Sequence, residues 1–407
     1  MADSLVQAPQ QMRRSDINLL YAARCVRGIG DGFAVVILPA YLTAIGLTPT
    51  QIGFVAAASL FGTAVFTLLV GLIAPRHDLR NMLVLGAALM TVTGAALPSN
   101  DYLIWLATVL FIGTINPSTG DIGVLVPLEH ALLARSVADE ERTRAFARYS
   151  LIGALSMAAG SLTAGLSDVL ISSGFGQLTA FRMMFYLYAV LGIVAALLYL
   201  RLSAAHGEPS RAAAPLGPSR HIVYRLAALF SLDAFAGGFI VQSLLALWLF
   251  EKFDLSVSAA SVFFFWSGLL SAFSFPLAAR IAGRVGLINT MVFTHIPSSI
   301  CLIAAAFSSD LTLTLGLLLV RSALSQMDVP TRTSYVMAVV TPSEQTAAAS
   351  VTAVPRSLAS SVSPAFSGML LTLPFAGLPL VLCGSLKIVY DVALLYSFRH
   401  IKPPEER

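Results

Sequence analysis

The chain has 407 residues, of which 57% are hydrophobic and 11% are charged, with a formal net charge of +4. Because soluble proteins carry about 25% charged residues, this composition excludes an ordinary soluble domain and predicts an integral membrane protein. The mean hydropathy of +0.81 indicates the same. Most cationic residues lie near the ends of apolar runs, a pattern typical of membrane topology and not of a nucleic-acid partner.

Twelve apolar runs are long enough to cross a bilayer, since a spanning helix needs about 20 mostly apolar residues. The first follows a polar tail and is too long for the core of a cleaved signal sequence. Six spans are predicted in each half of the chain. They cover 18–46, 51–74, 81–98, 102–134, 143–168 and 181–202, then 222–250, 256–282, 288–307, 311–340, 346–371 and 376–398.

The longest polar interior stretch, 203–221, contains three prolines and predicts a linker between two six-helix bundles. With the N-terminus inside, the outer loops hold only Arg182 and Lys252. The positive-inside rule therefore places both termini in the cytoplasm, and we predict a bacterial inner membrane as the location. The predicted segments are a cytoplasmic tail 1–17, a bundle 18–202, the cytoplasmic linker 203–221, a bundle 222–398 and a tail 399–407.

The two halves match when the sequence is shifted by 208 positions. Landmarks in loops and helices keep this offset, which indicates an internal duplication. Parallel repeats of this kind are typical of transporters whose substrate site lies between the halves. Matched pairs are Leu47 and Leu255, Ala74 and Ala282, Arg76 and Arg284, Asn81 and Asn289, Arg148 and Arg356, and Gly160 and Gly368.

The loop between spans 2 and 3, GLIAPRHDLRN, resembles the signature loop of the major facilitator superfamily, roughly Gly-x-x-x-Asp-Arg-x-Gly-x-Arg. Pro75 stands in place of the aspartate through which this loop latches the cytoplasmic side in the family, and Asp78 in place of the second glycine. With the twelve spans and the repeat, the chain is similar to this superfamily along nearly its whole length. Residues of the motif and its second-half repeat are Gly71, Arg76, Asp78, Arg80, Arg284 and Gly286.

The resemblance implies an all-α membrane fold of twelve helices in two pseudo-symmetric six-helix bundles. It also implies alternating access, in which the two bundles rock about a central site. In this family the first helix of each half lines the central cavity, and helices 4, 5, 10 and 11 close the cytoplasmic side. No cofactor is expected, and the chain is expected to act as a monomer.

Charged side chains occur inside several predicted spans, where each costs about 2.5 to 3.5 kcal/mol at mid-bilayer if unpaired. Such residues should face a partner or a watery cavity. In span 1, Arg24, Arg27 and Asp31 fall on one helix face, and Arg27 can pair with Asp31. Asp328 with Arg332 and Lys387 with Asp391 have the same spacing of four. The candidates for a substrate or proton cavity are Arg24, Arg27, Asp31, Asp233, Gln242 and Arg321, and those for an inner gate of salt bridges or for coupling are Asp121, Glu129, Arg148, Asp328, Arg332 and Arg356.

The sequence lacks GxxxxGK[ST], GxSxG and HExxH motifs and has no Cys or His spacing typical of a metal site. It therefore predicts a secondary active transporter and not an enzyme. Asp31 or Asp233 could carry a coupling proton. The excess of deep arginines favours an anionic or zwitterionic organic solute. Two alternatives remain: a drug/proton antiporter for lipophilic compounds, which the missing Gly-Pro signature of span 5 disfavours, and a non-transporting membrane sensor.

Overall fold

The computed structural model describes residues 14–118, 123–137, 139–203, 216–341 and 344–400. These residues form sixteen α-helices and contain no strand. In the first half the helices are α1 (Arg14–Ala44), α2 (Pro49–Ile73), α3 (Leu79–Ala96), α4 (Leu103–Ile112), α5 (Val126–Ser136), α6 (Asp139–Thr163), α7 (Leu166–Ser172) and α8 (Gln177–Leu200). In the second half they are α9 (Arg220–Gly238), α10 (Gln242–Phe253), α11 (Val257–Val285), α12 (Leu287–Phe307), α13 (Leu311–Ser325), α14 (Asp328–Val339), α15 (Gln345–Leu371) and α16 (Leu378–Phe398).

Each predicted span corresponds to one helix or to two consecutive helices. Within the described ranges, nine helical segments are long and apolar enough to cross a membrane. The predicted all-α membrane fold is confirmed, and the arrangement agrees with twelve spans. Helix α1 begins at Arg14, four residues before the start expected from the sequence.

Four predicted spans are interrupted, although the sequence analysis treated them as continuous. The interruptions follow from residues that weaken helical hydrogen bonding: Gly113 ends α4, Gly165 precedes α7, and Gly238 is the last residue of α9. The fourth interruption, between α13 and α14, lies ahead of Pro330. The chain breaks before Asp328, which leaves Pro330 in the first turn of α14, where its missing N–H removes no helical bond.

Apolar packing distinguishes the two ends of the helix assembly. We call the end where α1 begins and α16 ends the termini face, and the other end the opposite face. At the opposite face one cluster joins both halves, with Phe33 and Tyr41 of α1 alongside Trp248 of α10. At the termini face each half has its own cluster, one around Leu20 and the other around Phe398. The seam between the halves is therefore closed by apolar packing toward the opposite face.

Helices α2 and α15 make the closest glycine contact across this seam. A Cβ added to Gly53 would lie 2.5 Å from the carbonyl oxygen of Pro364, and one added to Gly368 would lie 2.4 Å from that of Pro49. Neither position can hold a larger side chain without separating the helices. Helix α6 packs on α11 and α1 on α10 in the same seam.

Candidate functional site

A buried carboxylate, Glu129 of α5, organises the first half of the site. It is fully buried, and its Oε2 accepts a hydrogen bond from Arg27 Nη2 of α1 at 2.5 Å. The hydroxyl of Tyr149 on α6 donates to the same oxygen, and that of Tyr199 on α8 donates to Oε1 at 2.5 Å. Four helices thus meet at one carboxylate, whose charge neutralises Arg27.

The predicted pairing of Arg27 with Asp31 is wrong. A spacing of four residues allows that pair, but the guanidinium of Arg27 instead turns toward Glu129, which the two tyrosines hold in place. Asp31 is left with a different partner: its Oδ1 accepts a hydrogen bond from Tyr188 at 3.3 Å. The Tyr188 hydroxyl also lies 3.0 Å from Thr114 Oγ1.

Arg24 lies one turn before Arg27 on the same face of α1. Its guanidinium carbon is 5.2 Å from the centre of the Tyr149 ring, which gives a cation–π contact. A Cβ on Gly153 of α6 would come within 2.4 Å of the guanidinium. The absence of a side chain at Gly153 therefore makes the space that Arg24 occupies.

Two small cavities of about 10 and 30 Å³ lie beside these residues. Arg24, Asp31 and Asn116 line both cavities. Spaces of this size hold single water molecules and no organic solute. Neither cavity can hold an organic solute as it stands, so a solute could bind between these residues only after the surrounding groups move.

A second buried carboxylate, Asp233 of α9, organises a charge network in the second half of the chain. We call it the second network. Its Oδ1 accepts a hydrogen bond from Lys387 Nζ at 2.6 Å and its Oδ2 one from Arg332 Nη2 at 2.9 Å. Arg332 also bonds Asp328, as the spacing of four predicted. The guanidinium of Arg332 lies 5.1 Å from the centre of the Phe230 ring.

The predicted pairing of Lys387 with Asp391 is wrong, because a histidine lies between their groups. His295 of α12 places Nδ1 3.0 Å from Asp391 Oδ1 and Nε2 3.2 Å from Lys387 Nζ. His295 is 2% exposed and Asp391 is fully buried. The chain Asp391, His295, Lys387 and Asp233 thus joins α12 and α16 to α9.

Of the remaining candidates, Arg148, Arg321 and Arg356 form no ion pair with another described residue. Arg321 is half-buried, and its main-chain oxygen accepts a hydrogen bond from Ser298 at 3.3 Å. Gln242 begins α10, and its buried Oε1 has no hydrogen-bond partner within the described ranges. Arg356 lies close enough to Arg332 for the two positive charges to repel each other. Arg148 is exposed on α6. Asp121 lies outside the described residues.

The candidate gate residues do not bridge the two halves in the part of the chain that the structure describes. Glu129 bonds within the first half, and Asp328 and Arg332 bond within the second. Among these described residues, a salt-bridge gate between the halves would form only in another conformation, which agrees with the separate apolar clusters at the termini face.

Comparison with known proteins agrees with this fold. The model of the Major Facilitator Superfamily matches residues 20–364. The chain belongs to the Major Facilitator Superfamily. Membership in this superfamily and a transporter fold indicate a transporter and not an enzyme.

Relatives of the chain in this superfamily are distant. The uncharacterized membrane protein YJR124C of Saccharomyces cerevisiae is 24% identical over 420 residues, which is 94% of each chain. The nucleoside transporter NupG superposes with a TM-score of 0.74 at 14% identity, covering 94% of this chain and 99% of its own. The xylose transporter XylE of E. coli, in its inward open conformation, gives a TM-score of 0.74 at 13% identity, covering 96% and 98%. At these identities the two structures show a shared fold alone.

The superfamily signature loop has a local structural role here. Asp78 caps α3 by accepting a hydrogen bond from the backbone N–H of Arg80 at 2.9 Å. Arg80 Nη2 then donates to the last carbonyl of α8, at Leu200, at 2.7 Å. Gly286 has φ +92°, a conformation that favours glycine at the junction of α11 and α12. Gly71, Arg76 and Arg284 are exposed.

Four residues of the site did not emerge as candidates from the sequence. Tyr149 and Tyr199 hold Glu129, Tyr188 holds Asp31, and His295 lies inside the second network. Single tyrosines in apolar spans carry no distinguishing pattern. His295 had a usable signal, since an ionisable group inside a span indicates function by default.

Proposed function

We propose that this protein is a secondary active transporter that moves a small anionic or zwitterionic organic solute by alternating access, coupled to protons. The observation that carries the proposal is the cavity that Arg24 and Asp31 line together, within the first half and beside a seam closed toward the opposite face. Groups of opposite charge in one watery space suit a solute with a carboxylate and a second polar group.

The surrounding charges support a role for Asp31 in coupling. Arg27 lines the larger cavity, but its charge is already matched by Glu129. Asp31 accepts one long hydrogen bond from Tyr188 and has no cation within 4 Å among the described residues. Asp233, by contrast, binds two cations at 2.6 and 2.9 Å. Protonation of Asp31 would make the cavity more positive and favour an anion, which links proton and solute binding.

We further propose that the termini face is cytoplasmic, that the two halves form the bundles 18–202 and 222–398, and that a monomer is the working unit. The supporting observation is the loop charge distribution, which obeys the positive-inside rule for a bacterial inner membrane. In this orientation the closed seam faces outward, so the structure corresponds to an inward-facing state.

Uptake into proteoliposomes tests the proposal. Purified protein is reconstituted, and radiolabelled succinate, lactate, glutamate, alanine, a sugar phosphate and a lipophilic cation are compared with and without an imposed pH gradient. We expect gradient-stimulated uptake of an acid or zwitterion. Flux of the lipophilic cation alone would support the drug antiporter instead, and no flux of any compound would contradict the transporter proposal.

Asp31→Asn separates coupling from transport in the same assay. We expect this variant to retain solute exchange and to lose gradient stimulation at least tenfold. Asp310→Asn is the matched control, because Asp310 caps α13 within one half, away from the cavity. If Asp31→Asn keeps full gradient dependence, Asp31 is not the coupling group.

A further inference from the structure

The hydrogen bonds of the charge network around Asp233 select one tautomer of a neutral His295 ring. Its Nε2 lies 3.2 Å from Lys387 Nζ, and an ammonium group has only donors to offer. Nε2 must therefore present its lone pair to Lys387. The proton of the neutral ring then lies on Nδ1, which donates to Asp391 Oδ1 at 3.0 Å. The contacts assign the Nδ1–H tautomer to His295 in this conformation.

We propose that His295 is a proton-binding site and that a proton on Nε2 displaces Lys387. The added proton turns Nε2 from an acceptor into a donor, so two donors would face each other. Lys387 must then withdraw. The imidazolium has Asp391 on its Nδ1 side, and its Nε2 is 3.9 Å from Asp233 Oδ1, within reach of a small rotation.

The bonded network around the ring contains one more carboxylate than cations. The bonded network comprises three carboxylates, Asp233, Asp328 and Asp391, against the two cations Arg332 and Lys387. A charged His295 brings the bonded groups to three of each sign. Asp391 also has a buried oxygen, Oδ2, without a hydrogen-bond partner among the described residues, so its charge is incompletely matched.

Lys387 has space to withdraw. Its side chain is 13% exposed, compared with 3% for His295 and 5% for Asp233. Gly237 of α9 lies beside it, and a Cβ there would be 3.9 Å from Nζ, so no side chain confines the ammonium on that side. Protonation thus replaces the contact of His295 with Lys387, which joins α12 to α16, by a contact with Asp233, which joins α12 to α9.

The helices around α12 carry further ionisable groups. Helices α11, α13, α14 and α16 contact α12, and α9 reaches His295 through Asp233. Arg356 of α15 adds positive charge near Arg332. The titratable and charged groups are Arg280 and Arg284 near the end of α11, Arg321 of α13, Asp328 and Arg332 of α14, Lys387, Tyr390 and Asp391 of α16, and Asp233 of α9.

Nuclear magnetic resonance of ¹³C,¹⁵N-labelled histidine in the full-length protein in lipid nanodiscs tests this site. The His295→Gln variant assigns the resonance, and His221→Gln, which removes an exposed histidine at the start of α9, is the matched control. At pH 8 we expect His295 as the Nδ1–H tautomer. Lowering the pH to 5 should give the doubly protonated ring. Lys387→Met should leave Nδ1–H bonded to Asp391 and allow Nε2 to take up its proton at a higher pH than in the unmodified protein, because the donor facing Nε2 is gone.

Two results would overturn the proposal: an Nε2–H tautomer at pH 8 in the unmodified protein, or a ring that stays neutral down to pH 4.5 while the protein remains folded. If His295→Gln cannot be purified, pH series on the unmodified protein and on Lys387→Met still decide whether Nε2 of His295 binds a proton. The ligand here is the proton itself and no solute is needed, so failure of this inference leaves the proposed transport function untouched, and the reverse also holds.

Discussion

Asp168 of α7 accepts two hydrogen bonds from Ser258 of α11, one from the backbone N–H at 2.9 Å and one from the hydroxyl at 2.6 Å. These residues belong to different halves, so a carboxylate of the first half caps the first turn of a helix in the second. A negative charge at a helix N-terminus is stabilising. The contact therefore favours the conformation in which the opposite face is closed.

Replacing Asp168 with alanine should shift the protein toward a state open at the opposite face. Loss of a helix cap costs about 1 kcal/mol, which corresponds to a roughly fivefold change in the ratio of the two states. Spin-label distances between the α2 and α15 ends at the opposite face measure that ratio. Asp310→Ala is the control, since Asp310 caps α13 within one half. Identical distance distributions for both variants would show that Asp168 is no latch.

Leucine at Gly53 should prevent close packing of α2 on α15. A Cβ there already approaches the Pro364 carbonyl oxygen to 2.5 Å, so the larger side chain has no space while the opposite face is closed. The same spin-label distances should lengthen. Gly71→Leu is the matched control, because nothing lies within 4 Å of a Cβ at that position of the same helix. An unchanged distance in Gly53→Leu would contradict the closed seam.

Glu129→Gln should destabilise the protein strongly. The substitution leaves Arg27 as a buried charge without a carboxylate, and breaking a buried pair in this way costs about 3 to 5 kcal/mol. Thermal unfolding in detergent measures the loss. Asp101→Asn provides the comparison: it breaks the more exposed pair with Arg182, which should cost at most about 1 kcal/mol. Equal losses for the two variants would remove the central role given to Glu129.

Glu344, in the loop before α15, should lose its hydrogen bonds to the segment 217–219 ahead of α9 as the pH falls. Hydrogen bonds from the hydroxyls of Thr341 and Ser219 and from the backbone N–H of Gly217 lower the pKa of Glu344 from 4.5 to about 2. Because the folded-state pKa is depressed, the stabilisation is complete above pH 4.5 and is lost between about pH 4.5 and 2.

Hydrogen exchange at Gly217 and Ser219 measures this release. At pH 7 we expect faster exchange in Glu344→Gln than in the unmodified protein, because the neutral amide resembles the protonated carboxyl group. The difference should narrow as the pH approaches 3. Equal protection in the two proteins at pH 7 would show that Glu344 does not hold this segment.

Composition and span length are sufficient to predict the membrane fold, because a bilayer leaves an apolar chain few ways to satisfy its backbone. The ion pairs are less predictable. Asp328 and Arg332 pair as expected, since both lie in the short helix α14, where local geometry decides. Arg27 and Lys387 turn away from their i+4 neighbours toward carboxylates on other helices.

Long-range packing explains these differences. Glu129 follows Arg27 by 102 residues, and Asp233 precedes Lys387 by 154, so no local pattern connects them. The interruptions of the spans also affect the ion pairs, because they set where helices α5 and α14 begin and so where their polar side chains lie. Glycines were visible at three of the breaks, but an isolated glycine within an apolar run predicts no particular end point.

The most direct test of the account is the accessibility of Asn116, which lines both cavities. A single cysteine at this position, in protein whose three native cysteines are replaced, is treated with a membrane-impermeant thiol reagent from each side of oriented vesicles. Because the groups around Asn116 must move to admit the reagent, we expect slow labelling from the termini face in the unmodified protein and, in Gly53→Leu, increased labelling from the opposite face. A cysteine that neither side ever labels would contradict a water-accessible site at these cavities.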